Sequence, residues 1–254
     1  MNGEREPGGA QFIGFRSRLG PGTKYLLIVN IAIYVLELII VQWMGRPDLL
    51  RHVILIPDEV LSGYVWQLVS YGFLHDYSPG GYFHILFNMI ILWLFGLVLE
   101  EKWGTRQFLI FYCISLIGSS VFTVIISLIL PGIFPSFVAH LGASGAIMGL
   151  IAGFALTFPD QYIYLFFLLP IKGKWILPIS VAVDLIAFLS GSNISFQAHL
   201  GGMITGLLLI SGYWRPKKLY YGLQLLWYRL IKKKSKLKLV DIKDYNDKNK
   251  HYLN

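Results

Sequence analysis

The sequence predicts an all-α membrane protein, a bundle of six transmembrane helices with both chain ends on one side. Three observations carry that expectation. Of 254 residues, 55% are hydrophobic and only 14% charged, and the mean hydropathy is +0.59. That is too little charge to keep a soluble domain dispersed. Apolar runs near the roughly 20 residues that a bilayer core demands recur along the chain. The basic residues also segregate. With the N-terminus inside, Arg5, Arg16, Arg18, Lys24, Lys102, Arg106, Lys172, Lys174 and every Lys or Arg from Arg215 onward fall on the inner side. Only Arg46 and Arg51 fall outside, so 20 of 22 are inside, as loops of membrane proteins require.

The elements follow in order. Residues 1–24 are polar and Gly-rich, read as an inner tail, and do not resemble a cleavable signal peptide. Runs at 25–44, 82–99, 107–130, 142–158, 175–191 and 197–214 are expected to span, together making a membrane domain over 25–214. The second, third, fourth and sixth contain no Asp, Glu, Lys or Arg. The first carries Glu37 and, on the same face, Asn30, both expected to bond across to another helix. The fifth carries Asp184, a costly group at that depth. Gln161–Pro170 is apolar but too short to cross, and the prolines around it mark a connector lying at the membrane surface. Residues 215–254 open with Tyr220, Leu223, Leu226, Trp227 and Leu230 at helical spacing, followed by Lys232, Lys233 and Lys234. That segment is either a basic amphipathic helix on anionic inner-leaflet lipid or a solvated anchor after the last span.

Charge and cysteine content exclude other classes. The net charge of +8 sits at the chain ends and in short loops, so the lipid bilayer and not nucleic acid is the expected partner. A single cysteine, Cys113, leaves no disulfide framework within the chain and no cysteine cluster for a metal.

Polar motifs in three of the runs share one depth. Gly142–Ala143–Ser144–Gly145 opens the fourth, Ala198–His199–Leu200–Gly201–Gly202 the sixth, and His84, with Asn88 four residues on, the second. These are the runs expected to pass from outside to inside, so each motif lies near the outer end of its helix. A serine hydroxyl attacks a carbonyl only when a base takes its proton, and histidine is the usual base. The charge that builds on oxygen needs preorganised donors, for which His84, Asn88 and a backbone N–H at Ser144 are suited. No carboxylate is required in principle.

Glycines supply the geometry. Gly145, Gly149 and Gly153 make a bare stripe on the fourth helix, and Gly202 and Gly206 a matching notch on the sixth. Such faces let membrane helices approach closely, which would bring Ser144 and His199 within hydrogen-bond reach. The fourth helix is short, about 22 Å from Ser144 to Phe158 at 1.5 Å per residue. The loop before it, with Pro131, Gly132, Pro135 and Gly142, is therefore expected to dip into a wet cavity. Taken alone, Gly-x-Ser-Gly reads as helix packing; the combination at common depth argues for chemistry. His75 and His140 are expected to brace loops, and His52 and His251 to lie on the surface. Asp184, about two turns from the outer end of the fifth helix, is a candidate to orient His199. Its other readings are a bond to a neighbouring helix or a protonated carboxyl.

Trp66, Phe73–Leu74–His75, His84-x-x-x-Asn88, Gly96-x-x-Leu99–Glu100 with Gly104, Gly142-x-Ser144–Gly145 and Ala198–His199-x-Gly201–Gly202 together resemble the rhomboid family of intramembrane serine proteases, over 25–214. The resemblance implies Ser144 as nucleophile, His199 as base, His84 and Asn88 as oxyanion donors, and no metal or organic cofactor. It also implies transmembrane protein substrates, cut where residues are small and the helix is weak; no oligomeric state follows. Two positions depart from the family pattern. Gln67 stands where an arginine often braces the first outer loop, and Met148 where some members stack a tyrosine on the histidine. Neither touches the dyad. A non-catalytic relative that binds membrane clients would have lost the dyad, and a small transporter would show an internal repeat that is absent here. The expected site opens to the outer side, which in a bacterium is the periplasmic face of the inner membrane.

Overall fold

The computed structural model describes residues 19–165, 169–192 and 194–212. The basic segment expected at 215–254 lies outside them, as do residues 1–18 of the expected N-terminal tail. The chain divides between Ser211 and Gly212 into two units, and every element named here belongs to the first.

Helix α1 runs Pro21–Leu38 and continues as a π-helical turn through Trp43. It starts four residues before the expected span, and the reason is a cap. Pro21 suits a first turn, where its missing N–H is not needed. The Glu100 carboxylate accepts the N–H groups of Gly22 and Thr23 at 2.8 Å each and the Thr23 hydroxyl at 2.7 Å. Orphan donors at a helix start are thereby paired with an anion. Thr105 donates to the same carboxylate at 2.7 Å. Gly96 leaves room for Thr23, whose hydroxyl would lie 2.7 Å from a Cβ there. Gly96-x-x-Leu99–Glu100 is therefore a buckle between helices.

Three short helices, α2 (Asp48–Arg51), α3 (Pro57–Leu61) and α4 (Gln67–Ser70), and a 3-10 turn at Tyr71–Phe73 form the first outer loop. They surround a small core of Leu50, Ile54, Ile56 and Leu74. Gln67, fully buried, braces the loop. Its Oε1 accepts the Ile56 N–H at 2.9 Å, and its Nε2 donates at 2.7 Å to Glu59, which pairs with Arg51. Trp66 Nε1 donates to the His52 carbonyl at 2.7 Å.

Helices α5 (Tyr82–Trp103) and α6 (Thr105–Ile129) turn on Gly104, at φ +80°, ψ 155°, a conformation open essentially to glycine. Next come α7 (Ser144–Thr157), the strands β1 (Tyr162–Leu165) and β2 (Leu169–Lys172), α8 (Gly173–Leu189) and α9 (Phe196–Ser211). Helix α1 with its π turn, α5 and α6 are long and apolar enough to cross a membrane, whereas α7 and α9 are shorter apolar helices. Neighbouring helices surround α7, so its length need not match the hydrocarbon. Together α1, α5, α6, α7, α8 and α9 make the expected six-helix bundle.

Two details differ from expectation. The connector at Gln161–Pro170 enters an antiparallel hairpin, with Tyr162 opposite Lys172 and Ile163 opposite Ile171. Aromatic and β-branched residues favour a strand where the run is too short to cross as a helix. Among the described residues, Glu37 bonds to a loop and not to another helix, while Asn30 faces Tyr112 of α6. Glu37 accepts the backbone N–H of His75 in the loop at 3.0 and 3.2 Å, and Asn30 donates to the Leu26 carbonyl of its own helix at 2.7 Å.

Candidate active site

Close packing of α7 against α9 sets the site. A Cβ on Gly202 would run into the Gly145 carbonyl, and one on Gly206 would lie 2.6 Å from the Gly149 oxygen. The α9 backbone can approach the α7 backbone because α9 has no side chain at either position. The stripe divides, however. Gly153 faces the rings of Trp103 and Phe111, while the bare faces of Gly145 and Gly149 admit Ser119 and Ser115 of α6, with the Gly202 carbonyl 3.2 Å from a Cβ on Gly149. Helix α6 locks the other side of the seam, where the Ser119 hydroxyl donates to the Ala198 carbonyl at 2.6 Å.

At the top of that seam the Ser144 Oγ lies 2.8 Å from His199 Nε2. Ser144 is the first residue of α7, where backbone N–H groups lack intrahelical acceptors and favour negative charge. Gly142 feeds the chain into this position at φ +118°, its N–H bonded to the Tyr71 carbonyl at 3.0 Å. A Cβ on Gly142 would lie 2.9 Å from His84 Nε2 and 3.6 Å from Ser144 Oγ, so the His84 ring and the serine hydroxyl both border Gly142. His84 Nδ1 accepts the Asp76 N–H at 3.3 Å. In the neutral ring the proton then resides on Nε2, the nitrogen on the Gly142 side. Asn88, one turn along the same face of α5, gives one amide hydrogen to the His84 carbonyl at 2.9 Å and keeps the second.

His84 is backed by His75, their ring centroids 5.3 Å apart, and His75 meets Tyr34 edge-on. His75 is fully buried, and both its ring nitrogens lack a hydrogen-bond partner among the described residues. Burial first, and the His84 ring second, push its pKa down to about 3, so it packs as a neutral ring. His140 has an equally structural place. Its Nδ1 is 2.8 Å from Ser195 Oγ, its Nε2 is 3.2 Å from Gln197 Nε2, and its backbone pairs in both directions with Leu55. His140 precedes Ser144 by four residues and Gln197 precedes His199 by two, so this clamp joins the two approaches to the site. Burial lowers the His140 pKa to about 4.

Asp184 on α8 reaches the remaining edge of the imidazole, with Oδ2 2.9 Å from His199 Nδ1. Of the three readings the sequence left open, two meet here: the carboxyl bonds to a neighbouring helix, and its partner on that helix is His199. Ser144, His199, His84 and the glycines at 142, 145, 149, 202 and 206 thus come together. Gln67, Ser195 and Gln197 were not singled out as partners, since polar amides and hydroxyls in loops give no signal of what they will face. Among the described residues, no group of His, Cys, Asp and Glu is arranged to hold a metal ion.

The arrangement has known relatives. A Rhomboid domain matches residues 62–216, more than half of the chain. A Bacillus subtilis protein named "Putative rhomboid protease YdcA" is 28% identical over 195 residues, 73% of this chain and 89% of its own. "Rhomboid protein 1, mitochondrial" of Saccharomyces cerevisiae is 31% identical over 189 residues, 72% of this chain and 50% of its own. "Rhomboid protease GlpG" of Yersinia pestis is 28% identical over 204 residues, 76% and 63% respectively. The chain therefore spans nearly the whole of the first and about half to two thirds of the others. A domain match that runs from the first outer loop through α9, and so takes in Ser144 and His199 with the helices that present them, identifies this polytopic membrane protein as a member of the rhomboid family.

Proposed function

We propose that Ser144 is the nucleophile and His199 the general base of an intramembrane serine endopeptidase, with His84 Nε2–H, Asn88 Nδ2–H and the Ser144 backbone N–H as oxyanion donors. The chain is a rhomboid protease by family, hydrolysing peptide bonds in or next to transmembrane segments of other membrane proteins. The single observation that carries the assignment is the 2.8 Å contact between Ser144 Oγ and His199 Nε2. In the reaction the Ser144 oxygen bonds the substrate carbonyl carbon while its proton passes to His199. The tetrahedral intermediate collapses, the C–N bond breaks, and His199 gives the proton to the leaving amine. A water, deprotonated by His199, then releases the acyl group and regenerates Ser144. No cofactor is required at any step.

Both termini face the cytoplasm in this reading, and the site opens to the outer side, where His84, Ser144 and His199 lie near the starts of α5, α7 and α9. A transmembrane helix hides its peptide bonds within its own ladder, and opening that ladder in hydrocarbon is costly. Substrates are therefore single-span proteins with Gly, Ser or Pro in the outer part of the span. Replacing that part with Leu should slow cleavage in liposomes, and an all-Leu segment cut as fast would refute this account of selectivity.

The deciding experiment is labelling with a serine-reactive fluorophosphonate alongside a liposome cleavage assay. Ser144→Ala and His199→Ala should each lose both signals while the protein stays inserted. Labelling that persists in Ser144→Ala would overturn the nucleophile. Asn88→Ala and His84→Ala should each slow turnover by about a hundred- to a thousandfold, the usual effect of one lost oxyanion donor.

A further inference from the structure

We infer that Asp184 is a positioning residue for His199, holding the imidazole in the tautomer and orientation that let it take the Ser144 proton. The inference rests on the dyad assignment above and extends the unit to three members.

The imidazole is bonded at both edges, to Ser144 Oγ at 2.8 Å and to Asp184 Oδ2 at 2.9 Å. The side chains of His199 and Asp184 are only 11% and 6% exposed, so water competes poorly for either bond. A neutral imidazole carries one N–H, and a carboxylate only accepts. The proton must then sit on Nδ1, which leaves the Nε2 lone pair facing the serine hydroxyl. Without Asp184 the ring is free to carry its proton on Nε2 and donate to Ser144, a state in which the serine has no base. When His199 takes the serine proton and becomes cationic, the carboxylate beside it offsets that charge without being protonated itself.

Helix docking does not explain this carboxyl. Phe188 stacks on Phe196 at 5.2 Å and on Phe134 at 5.5 Å, so aromatic contacts already hold the outer part of α8 to α9 and to the preceding loop. Asp184 is the single buried residue in the second half of α8, among exposed Val183, Leu185, Ile186 and Leu189. Met148, one turn after Ser144, offers no flat face on which the His199 ring can stack. The carboxylate is the group left to orient it.

The full-length protein in liposomes, with a fluorogenic transmembrane substrate, decides the matter. Asp184→Asn preserves shape and removes the obligate acceptor. It should lower kcat by about a hundred- to ten-thousandfold with KM little changed, and slow fluorophosphonate labelling in parallel. Asp184→Ala should lose as much and recover part of it in high formate, which enters the vacated space as a carboxylate; a merely structural bond would give no such rescue. An Asp184→Asn enzyme within threefold of wild type overturns the inference. So does a loss that appears in KM and in Tm and that formate leaves unmoved in Asp184→Ala. The dyad stands or falls separately: a silent Ser144→Ala beside a fully active Asp184→Asn removes only Asp184, whereas activity in Ser144→Ala removes the dyad itself.

Discussion

The α7/α9 pair and α8 hold the same site by opposite means. Helices α7 and α9 meet backbone to backbone through Gly145, Gly149, Gly202 and Gly206, with α6 pinned to them by Ser119. Helix α8 buries only Gly173, Ile176 and Asp184 of its 17 residues and contains Pro178. The separation of Ser144 and His199 is thus a property of a seam with no slack, since packed glycine faces have no side chain to repack. Asp184 arrives on a helix that buries few of its other side chains against the protein. A tightly packed pair sets the separation of Ser144 and His199, and a neighbour with fewer buried side chains supplies the carboxyl at the other edge of the imidazole.

The seam half of this comparison is the easier to break. Gly202→Ala forces a methyl onto the Gly145 carbonyl, an overpacking worth about 1–3 kcal/mol, and pushes α9 away from α7. A displacement near 1 Å at the dyad costs about a hundredfold in rate, so kcat should fall at least that far while the protein still inserts. Wild-type kcat in Gly202→Ala would mean that the seam has slack and that the contrast with α8 is wrong.

Acid should produce a smaller effect, on the clamp that ties the two approaches to the seam. His140 bonds Ser195 and Gln197 as a neutral ring, its pKa held at about 4 by burial. A released loop would return it to the ordinary value near 6.5. The released form then binds more protons, so docking is fully favourable above about pH 6.5 and weakens as pH falls toward 4, by about 2 kcal/mol at pH 5. The protection of residues 134–142 from hydrogen exchange, taken relative to the intrinsic rate at each pH, should fall between pH 7 and 5, and His140→Gln should flatten that dependence. Protection that is flat with pH in the wild type would remove His140 from the clamp.

The smallest effect belongs to the outer surface of α8. Ile186 is 65% exposed, so Ile186→Ala should leave Tm and kcat within experimental scatter. A loss comparable to that of Gly202→Ala would show α8 to be packed as tightly as the seam and would erase the distinction.

The positions of the helices and the residues that meet at the candidate site were legible in the amino-acid sequence because both depend on local signals. Long apolar runs with basic flanks must be spans. A serine and a histidine, each among glycines at the same end of its helix, have few other reasons to be there. Helix ends were less legible, because α1 begins where Glu100, far along the chain, supplies a cap for Gly22 and Thr23. The hairpin at Tyr162–Lys172 was missed because a short apolar run has no period that separates a strand from a connector.

What the sequence determined by itself was the bundle, the glycine positions and the candidate dyad, since each follows from composition or spacing within one helix. The tertiary structure decided the partnerships. Gln67 braced the first outer loop by reaching Ile56 and Glu59, and Gly153 turned to Trp103 and Phe111 while Gly145 and Gly149 turned to Ser119 and Ser115 of α6. Asp184 found His199 fifteen residues away on another helix. A hydrogen bond or a backbone contact has a range of a few ångströms, and that range is set by how the helices cross, which no single helix encodes.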